Sequence, residues 1–578
     1  MKTQRAAAAV LFASVSLLAW AGPPAPAGGP ADLVLVGGAV YTQDAARPWA
    51  EAVAVRDGRI VAVGSDAEVR RLAGKTTRRI DLHGRMLMPG LVDAHIHAVE
   101  GANEDLYACT FPPASTPEQI RAKLAECNRT LAPGQWIEGS AWASDFFTKQ
   151  KIASPRQWLD AIVGARPVAL RDDSHHNVWA NTAALRAAGV TAATPDPTGG
   201  SFPREAGGTE PNGIALEAAA EMVSAAIPPH TPEQLQRAVR HAQDLAHRYG
   251  IIGLKEADSW EPTIAAWHAV EQAGQLSLYV TNCISTLAMQ KTPETPLDFE
   301  RIDHIHAAYD GRLMHPDCVK IYLDGVPTPA RTAAMLDPYV PDEKGAVISG
   351  LLHVAPAVLA ADIVGIDRRG YTAKLHAAGD ASIREGLDAI AAARQANPAS
   401  DRRHELAHAG YIAPTDIARF AALNAVADQS PYIWYPSPII DAVAAAVGPE
   451  RGEHYWPTRA LVESHAPMAA GSDWPSVVPS MDPWAGIEAM VTRSDPYANR
   501  AAKLWPEQAI TLADALRIYT QGGAAALRRE GETGTIAVGR SADFIVLDRN
   551  LFKIAPTAIS DVRVDLTVFQ GREVYRRH

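Results

Sequence analysis

At 578 residues the chain is too long for one ordinary core, and a barrel of about 250 to 400 residues with one companion domain accounts for the length. Its 47% hydrophobic and 21% charged residues describe a folded globular protein without low-complexity tracts. A net charge of -11, with no clustered Lys and Arg, argues against nucleic acid as a partner.

In chain order, Lys2 and Arg5 precede an apolar stretch from Ala6 to Trp20 that ends in small residues. This pattern predicts a cleaved secretory signal over 1–21 and a linker over 22–30, because the stretch falls short of the roughly 20 residues of a spanning helix. The mature chain is therefore expected to be periplasmic or secreted, with no membrane contact after cleavage. In such an oxidising space Cys109 and Cys127 are predicted to close a short disulfide loop, whereas Cys283 and Cys318, in apolar runs, are read as buried free thiols.

From Asp32 the chain reads as short strands, with Asp57-Gly58 between two apolar runs marking a tight hairpin. The other end, after a capping box at Thr511 and Asp514, also reads as strands. One β-domain is thus expected from both termini, residues 31–88 and 533–578. Between them, helical patterns alternate with apolar runs that end in polar residues, which is the pattern of a (β/α)₈ barrel with its chemistry at the strand C-termini. That barrel is assigned to 89–532, with residues from about 100 to 217 as an insertion over its mouth.

The run Met88 to His97 contains the His95-x-His97 pair. Alternation along a strand puts Asp93, His95 and His97 on one face, and two imidazoles at a strand end can share a metal ion. Four further candidate ligands, Lys320, His376, His408 and Asp473, end later strand-like runs in an order that could ring a barrel mouth. Imidazole and carboxylate donors suit Zn²⁺ as first choice, with Mn²⁺, Fe²⁺ or Co²⁺ as alternatives. Asp473 is placed to act as a general base, and His376 or His408 to hydrogen-bond a developing oxyanion.

This set, framed by the N-terminal hairpin and the segment Gly534 to Phe544, resembles the amidohydrolase superfamily. The runs Val319 to Gly325, His376 to Asp380 and Gly471 to Pro475 resemble its YtcJ-like branch, which includes N-substituted formamide deformylases. The resemblance implies a distorted (β/α)₈ TIM barrel, an α/β fold, with a small β-sandwich built from both chain ends and one or two divalent metals. It implies that His95, His97 and Asp473 hold the first metal, and that His376 and His408 bind a second or position the substrate. Lys320 would bridge the two if carboxylated; an unmodified Lys320 paired with a carboxylate is the alternative. The segment Ser174 to Asn181 resembles the branch's His-x-x-Trp-x-Asn motif and points His176 at the pocket, with His175 read as a surface or hydrogen-bonded residue. The family's Glu before the second strand-end histidine is Ala407 here, which moves any such role to Glu405 or removes it.

Trp142, Trp179 and Trp474 are candidates for an aromatic substrate pocket, although core packing suits each of them singly. Asp324 and Asp380 are candidates to orient the ligands or simply to make turns, and Glu256 is expected in a salt bridge. The expected activity is hydrolysis of a C–N bond in a small molecule: an amide, formamide or cyclic amide. Ester or carbamate hydrolysis on the same site, an isomerase or lyase, and a non-catalytic periplasmic binding protein are the rivals, and a homo-oligomer is left open.

Overall fold

Eight parallel strands form one sheet in the order of the chain: β1 (Leu91–Ile96), β2 (Ile251–Ser259), β3 (Tyr279–Ser285), β4 (Met314–Tyr322), β5 (Thr372–Ala377), β6 (Glu405–His408), β7 (Val426–Gln429) and β8 (Met468–Ala470). The computed structural model describes residues 29–577 apart from positions 133, 288, 291, 342–344, 477, 479 and 498–500. The predicted secretory segment lies outside the described residues. β1, β3, β5, β7 and β8 are buried at every position, as parallel strands covered on both faces should be.

The sheet curls until its first and last strands meet just beyond β8. There the Asp473 amide donates to the His95 carbonyl at 2.7 Å and the His97 amide to the Trp474 carbonyl at 2.9 Å. The seam depends on Gly471, since a Cβ there would lie 2.2 Å from the His95 amide nitrogen and 2.5 Å from its carbonyl oxygen. Only glycine admits so close a backbone approach.

The chain ends supply two more sheets. One has four strands, all from residues 31–81; the other has six and joins Met86–Pro89 directly to the C-terminal strand Phe544–Leu547. Leu35, Val53, Val55, Leu87, Phe544 and Leu566 belong to one apolar cluster that both sheets share. In the predicted hairpin, Asp57 and Gly58 both have positive φ, 51° and 73°, between the paired strands Ala52–Arg56 and Arg59–Gly64.

After β1, a helix α1 (Ala98–Tyr107) leads into an inserted five-stranded sheet made by Ile137–Trp142, Val168–Asp172, Asn177–Ala180, Gly200–Ser201 and Ile214–Glu217. Cys109 and Cys127 are joined in a disulfide within this insertion's own apolar core. Cys283 and Cys318 differ from the expectation of free thiols. The parallel register of β3 and β4 sets them side by side, and they too form a disulfide. No described helix is long and apolar enough to cross a membrane.

Candidate active site

The C-terminal ends of the barrel strands bring together residues from distant parts of the chain. His95 lies near the end of β1, His97 caps α1 immediately after it, and Asp473 follows β8 across the seam. Their donor atoms all lie within 4.8 Å of one another. Asp473 Oδ1 is 3.5 Å from His95 Nε2 and 3.4 Å from His97 Nε2, and its Oδ2 is 3.7 Å from His408 Nδ1. Asp473 and His408 sit at φ 61° and 69°, a left-handed conformation costly for non-glycine residues and often found where function holds it in place.

His376 and His408, on β5 and β6, extend this group along the mouth. The His408 ring centroid is 4.9 Å from that of His95 and 4.4 Å from that of His376. Burial keeps the His95 and His408 imidazoles neutral, well below the ordinary histidine range. Burial alone would raise the Asp473 carboxyl, but a hydrogen bond from His97 and the nearby imidazoles lower it overall. His95 Nε2 and His408 Nε2 are buried without a hydrogen-bond partner. Neutral imidazoles beside an ionised carboxylate, with ring nitrogens that make no hydrogen bond, are the donor set of a Zn²⁺-type ion. The residues present therefore fit a metal.

Lys320, on β4, is buried, and its ammonium stands 4.7 Å from the Tyr322 ring centroid rather than in an ion pair. Burial lowers it to about 8, opposed by Asp258. Among the described residues the pairing with a carboxylate expected of an unmodified lysine is not seen at ion-pair distance, and Asp258, Asp473 and Asp428 act on the ammonium from further away.

Beneath the histidines runs a buried ionic chain that the sequence did not reveal. His95 Nδ1 bonds Asp428 Oδ2 at 2.7 Å; Lys374 Nζ bonds Asp428 Oδ2 at 2.5 Å and pairs ionically with Glu405 Oε2 at 2.6 Å; Lys255 binds the other oxygen of Glu405. Lys374 also donates to the Ala94 carbonyl at 3.1 Å. Glu405 therefore belongs to the barrel interior and does not replace a carboxylate at position 407. Each of these residues sits in an apolar strand run, and only their meeting inside the barrel shows what they do.

A cavity of about 970 Å³ opens above the group, lined in part by His97, His376, His408, Lys320 and Asp473. His176 also lines it, with Nδ1 at 2.8 Å from Glu217 Oε2, whose other oxygen accepts from Thr332 at 2.9 Å. Burial works against the charged form of His176, but Glu217 holds it up at about 9. Asp324 orients His376 by a 3.1 Å contact to Nδ1 and accepts from the amides of Ala334, Ala378 and Gly379 and from Ser382. Asp380 neither touches a candidate ligand nor makes a turn: it opens the helix Asp380–Ala396 and accepts the distant Leu336 amide at 2.7 Å.

Expectations for five residues are corrected. Trp142 and Trp179 do not line the cavity: both are buried in the insertion's core, where their indole N–H groups donate to the carbonyls of Leu170 and Pro155 at 2.9 Å. Trp474 is also absent from the lining, because its ring packs flat over the space left by Gly101. Trp456 lines the cavity instead. His175 is not a surface residue, with a side chain only 8% exposed. Among the described residues Glu256 has no salt bridge; it accepts the Val99 amide, and burial pushes its carboxyl up to about 8.

Comparison with known proteins agrees with this geometry. The family model described as "Amidohydrolase family" matches residues 78–575. YtcJ of Bacillus subtilis is 27% identical over 545 residues, covering 94% of this chain and 99% of its own. The N-substituted formamide deformylase of Arthrobacter pascens is 28% identical over 569 residues, covering 94% and 98%. An uncharacterized metal-dependent hydrolase from Pyrococcus horikoshii superposes with a TM-score of 0.71 at 22% identity, over 91% of this chain and 99% of that one. With the family model spanning the whole barrel, its insertion and the C-terminal strands, the chain belongs to the amidohydrolase family.

Proposed function

We propose that the protein hydrolyses a C–N bond in a small molecule, an amide, formamide or cyclic amide, using a divalent metal, Zn²⁺ in the first instance. His95, His97 and Asp473 would hold the ion, with His376 and His408 completing the centre. The observation that carries this reading is the convergence of three donors from both sides of the barrel seam while His95 Nε2 and His408 Nε2 remain buried without a hydrogen bond. A buried polar group left without a partner costs about 1–3 kcal/mol, so the arrangement makes sense around a ligand.

When bound, a divalent ion lowers the pKa of water towards about 7 and polarises the carbonyl under attack. Asp473, ionised at neutral pH, accepts the proton of the attacking water and returns it to the departing nitrogen, which leaves as a neutral amine. The His176 imidazolium, held by Glu217, faces the cavity as a hydrogen-bond donor to the oxygen that gains charge. A carboxylated Lys320 belongs to the same proposal: its amine lies in the cavity wall, and burial shifts it towards the neutral form that adds CO₂.

The relative from Arthrobacter pascens, whose name specifies a formamide substrate, supports a C–N bond over an ester. We also propose a periplasmic or secreted location, supported by two disulfides in the described chain.

The test is a screen of formamides, amides, cyclic amides, esters and carbamates with zinc-loaded protein and its Asp473→Asn variant. Turnover of a C–N substrate that falls at least about 100-fold in the variant is expected. Turnover confined to esters, or undiminished in the variant, would overturn the reading.

A further inference from the structure

A second group of potential metal donors stands at the same cavity, outside the centre described above. Glu100 and Glu104 lie four residues apart on α1 and so share one face of that helix. His175, from the inserted sheet, faces them across the wall. Its Nδ1 is 3.8 Å from Glu100 Oε1 and 3.7 Å from Glu104 Oε1, and all three donors lie within 4.8 Å of one another.

These separations lie beyond hydrogen-bond reach, since a contact of about 3.6 Å or more is no longer a hydrogen bond. They are close to the roughly 3.4 Å that separates neighbouring ligands of a tetrahedral ion with bonds of about 2.1 Å. The independent observation is His175 itself. Its side chain is 8% exposed, and neither ring nitrogen makes a hydrogen bond. A buried imidazole in that state has lost water and gained two carboxylates at ion-pair distance but no hydrogen bond in return.

Arg171 neutralises part of the acid, with its guanidinium 3.7 Å from Glu100 and donating to the His175 carbonyl at 3.4 Å. Glu138 and Glu221 line the same cavity, so the wall keeps an excess of carboxylates. From this geometry we propose that Glu100, Glu104 and His175 form a separate divalent-cation site at the cavity wall. One imidazole and two carboxylates suit Zn²⁺ or Mn²⁺, and three protein ligands leave a position open to the cavity for a carboxylate or carbonyl oxygen of a bound molecule.

The site is tested by equilibrium dialysis of metal-stripped protein against micromolar Zn²⁺, followed by elemental analysis. Glu104→Gln and His175→Asn should each hold one zinc fewer per chain than the wild type, whereas His95→Ala/His97→Ala should lose inner zinc and keep this one. Wild-type zinc content in both Glu104→Gln and His175→Asn overturns the proposal without touching the inner centre. Anomalous diffraction at the zinc edge from soaked wild-type crystals needs no variant to fold. A peak bounded by Glu100, Glu104 and His175 is expected, and no peak there overturns the proposal.

Discussion

His95 Nδ1 lies 2.7 Å from Asp428 Oδ2, and both side chains are wholly buried. The carboxylate fixes the ring so that Nε2 points into the donor group, the arrangement by which a metal-ligating histidine is oriented and made more basic. Asp428→Asn should therefore weaken zinc binding about 10–100-fold, read by competition with a chromogenic chelator. Unchanged affinity in a folded variant would show that Asp428 serves the barrel alone.

Lys374 stands between Asp428 and Glu405, all three without access to water. Removing one partner of a buried ion pair leaves an uncompensated charge and costs about 3–5 kcal/mol. Lys374→Met should lower unfolding stability in urea by about that amount, because Asp428 and Glu405 then lose the ammonium they share. A loss below about 1 kcal/mol would mean that the carboxylates protonate or find water cheaply.

The contrast between these residues and His95 shows what the sequence could convey. The His-x-His spacing and the strand-end positions of His376, His408 and Asp473 follow from the two-residue period of a strand and the polarity of a parallel barrel, so they could be read directly. Lys374 and Asp428 sit inside short apolar runs on different strands, and their pairing depends on a ring that forms only when β1 meets β8. Cys283 and Cys318 escaped for a related reason, since strand register over 35 residues decides whether they touch. The tryptophans misled because the insertion folds around its own sheet and needs aromatic bulk for its core. His175 and His176 are adjacent, and although the His-x-x-Trp-x-Asn motif points His176 at the pocket, no pattern places His175 against α1.

Glu217 holds His176 protonated to about pH 9, against an ordinary histidine near 6.5. The imidazolium is thus present below that pH and lost above it. A pH profile of kcat/KM should carry an alkaline limb near 9, and Glu217→Gln should move that limb down by about two units. An alkaline limb that stays in place would remove His176 from the reaction.

Asp367 gives the molecule an acid limit. Burial would raise its carboxyl, but hydrogen bonds from His404, Ser400 and Asn397 pull it down to about 2. Its value in the unfolded chain is about 3.9, so its contribution to stability is full above that pH and is lost as the pH falls through about 2. Asp367→Asn should be less stable than the wild type at pH 7 and lose less between pH 4 and 2, as read from urea midpoints. Parallel losses in the two proteins would assign acid sensitivity elsewhere.

The central claim is that His95, His97 and Asp473 hold a divalent ion on which hydrolysis depends. Metal content and turnover of the best C–N substrate, measured on the same samples of wild type and His95→Ala/His97→Ala before chelation, after it and after zinc is restored, test it most directly. The account predicts that wild-type zinc and activity disappear and return together, and that the double variant recovers no activity and no inner-site zinc. Full activity in stripped protein, or a double variant that binds zinc and turns over like the wild type, would contradict it.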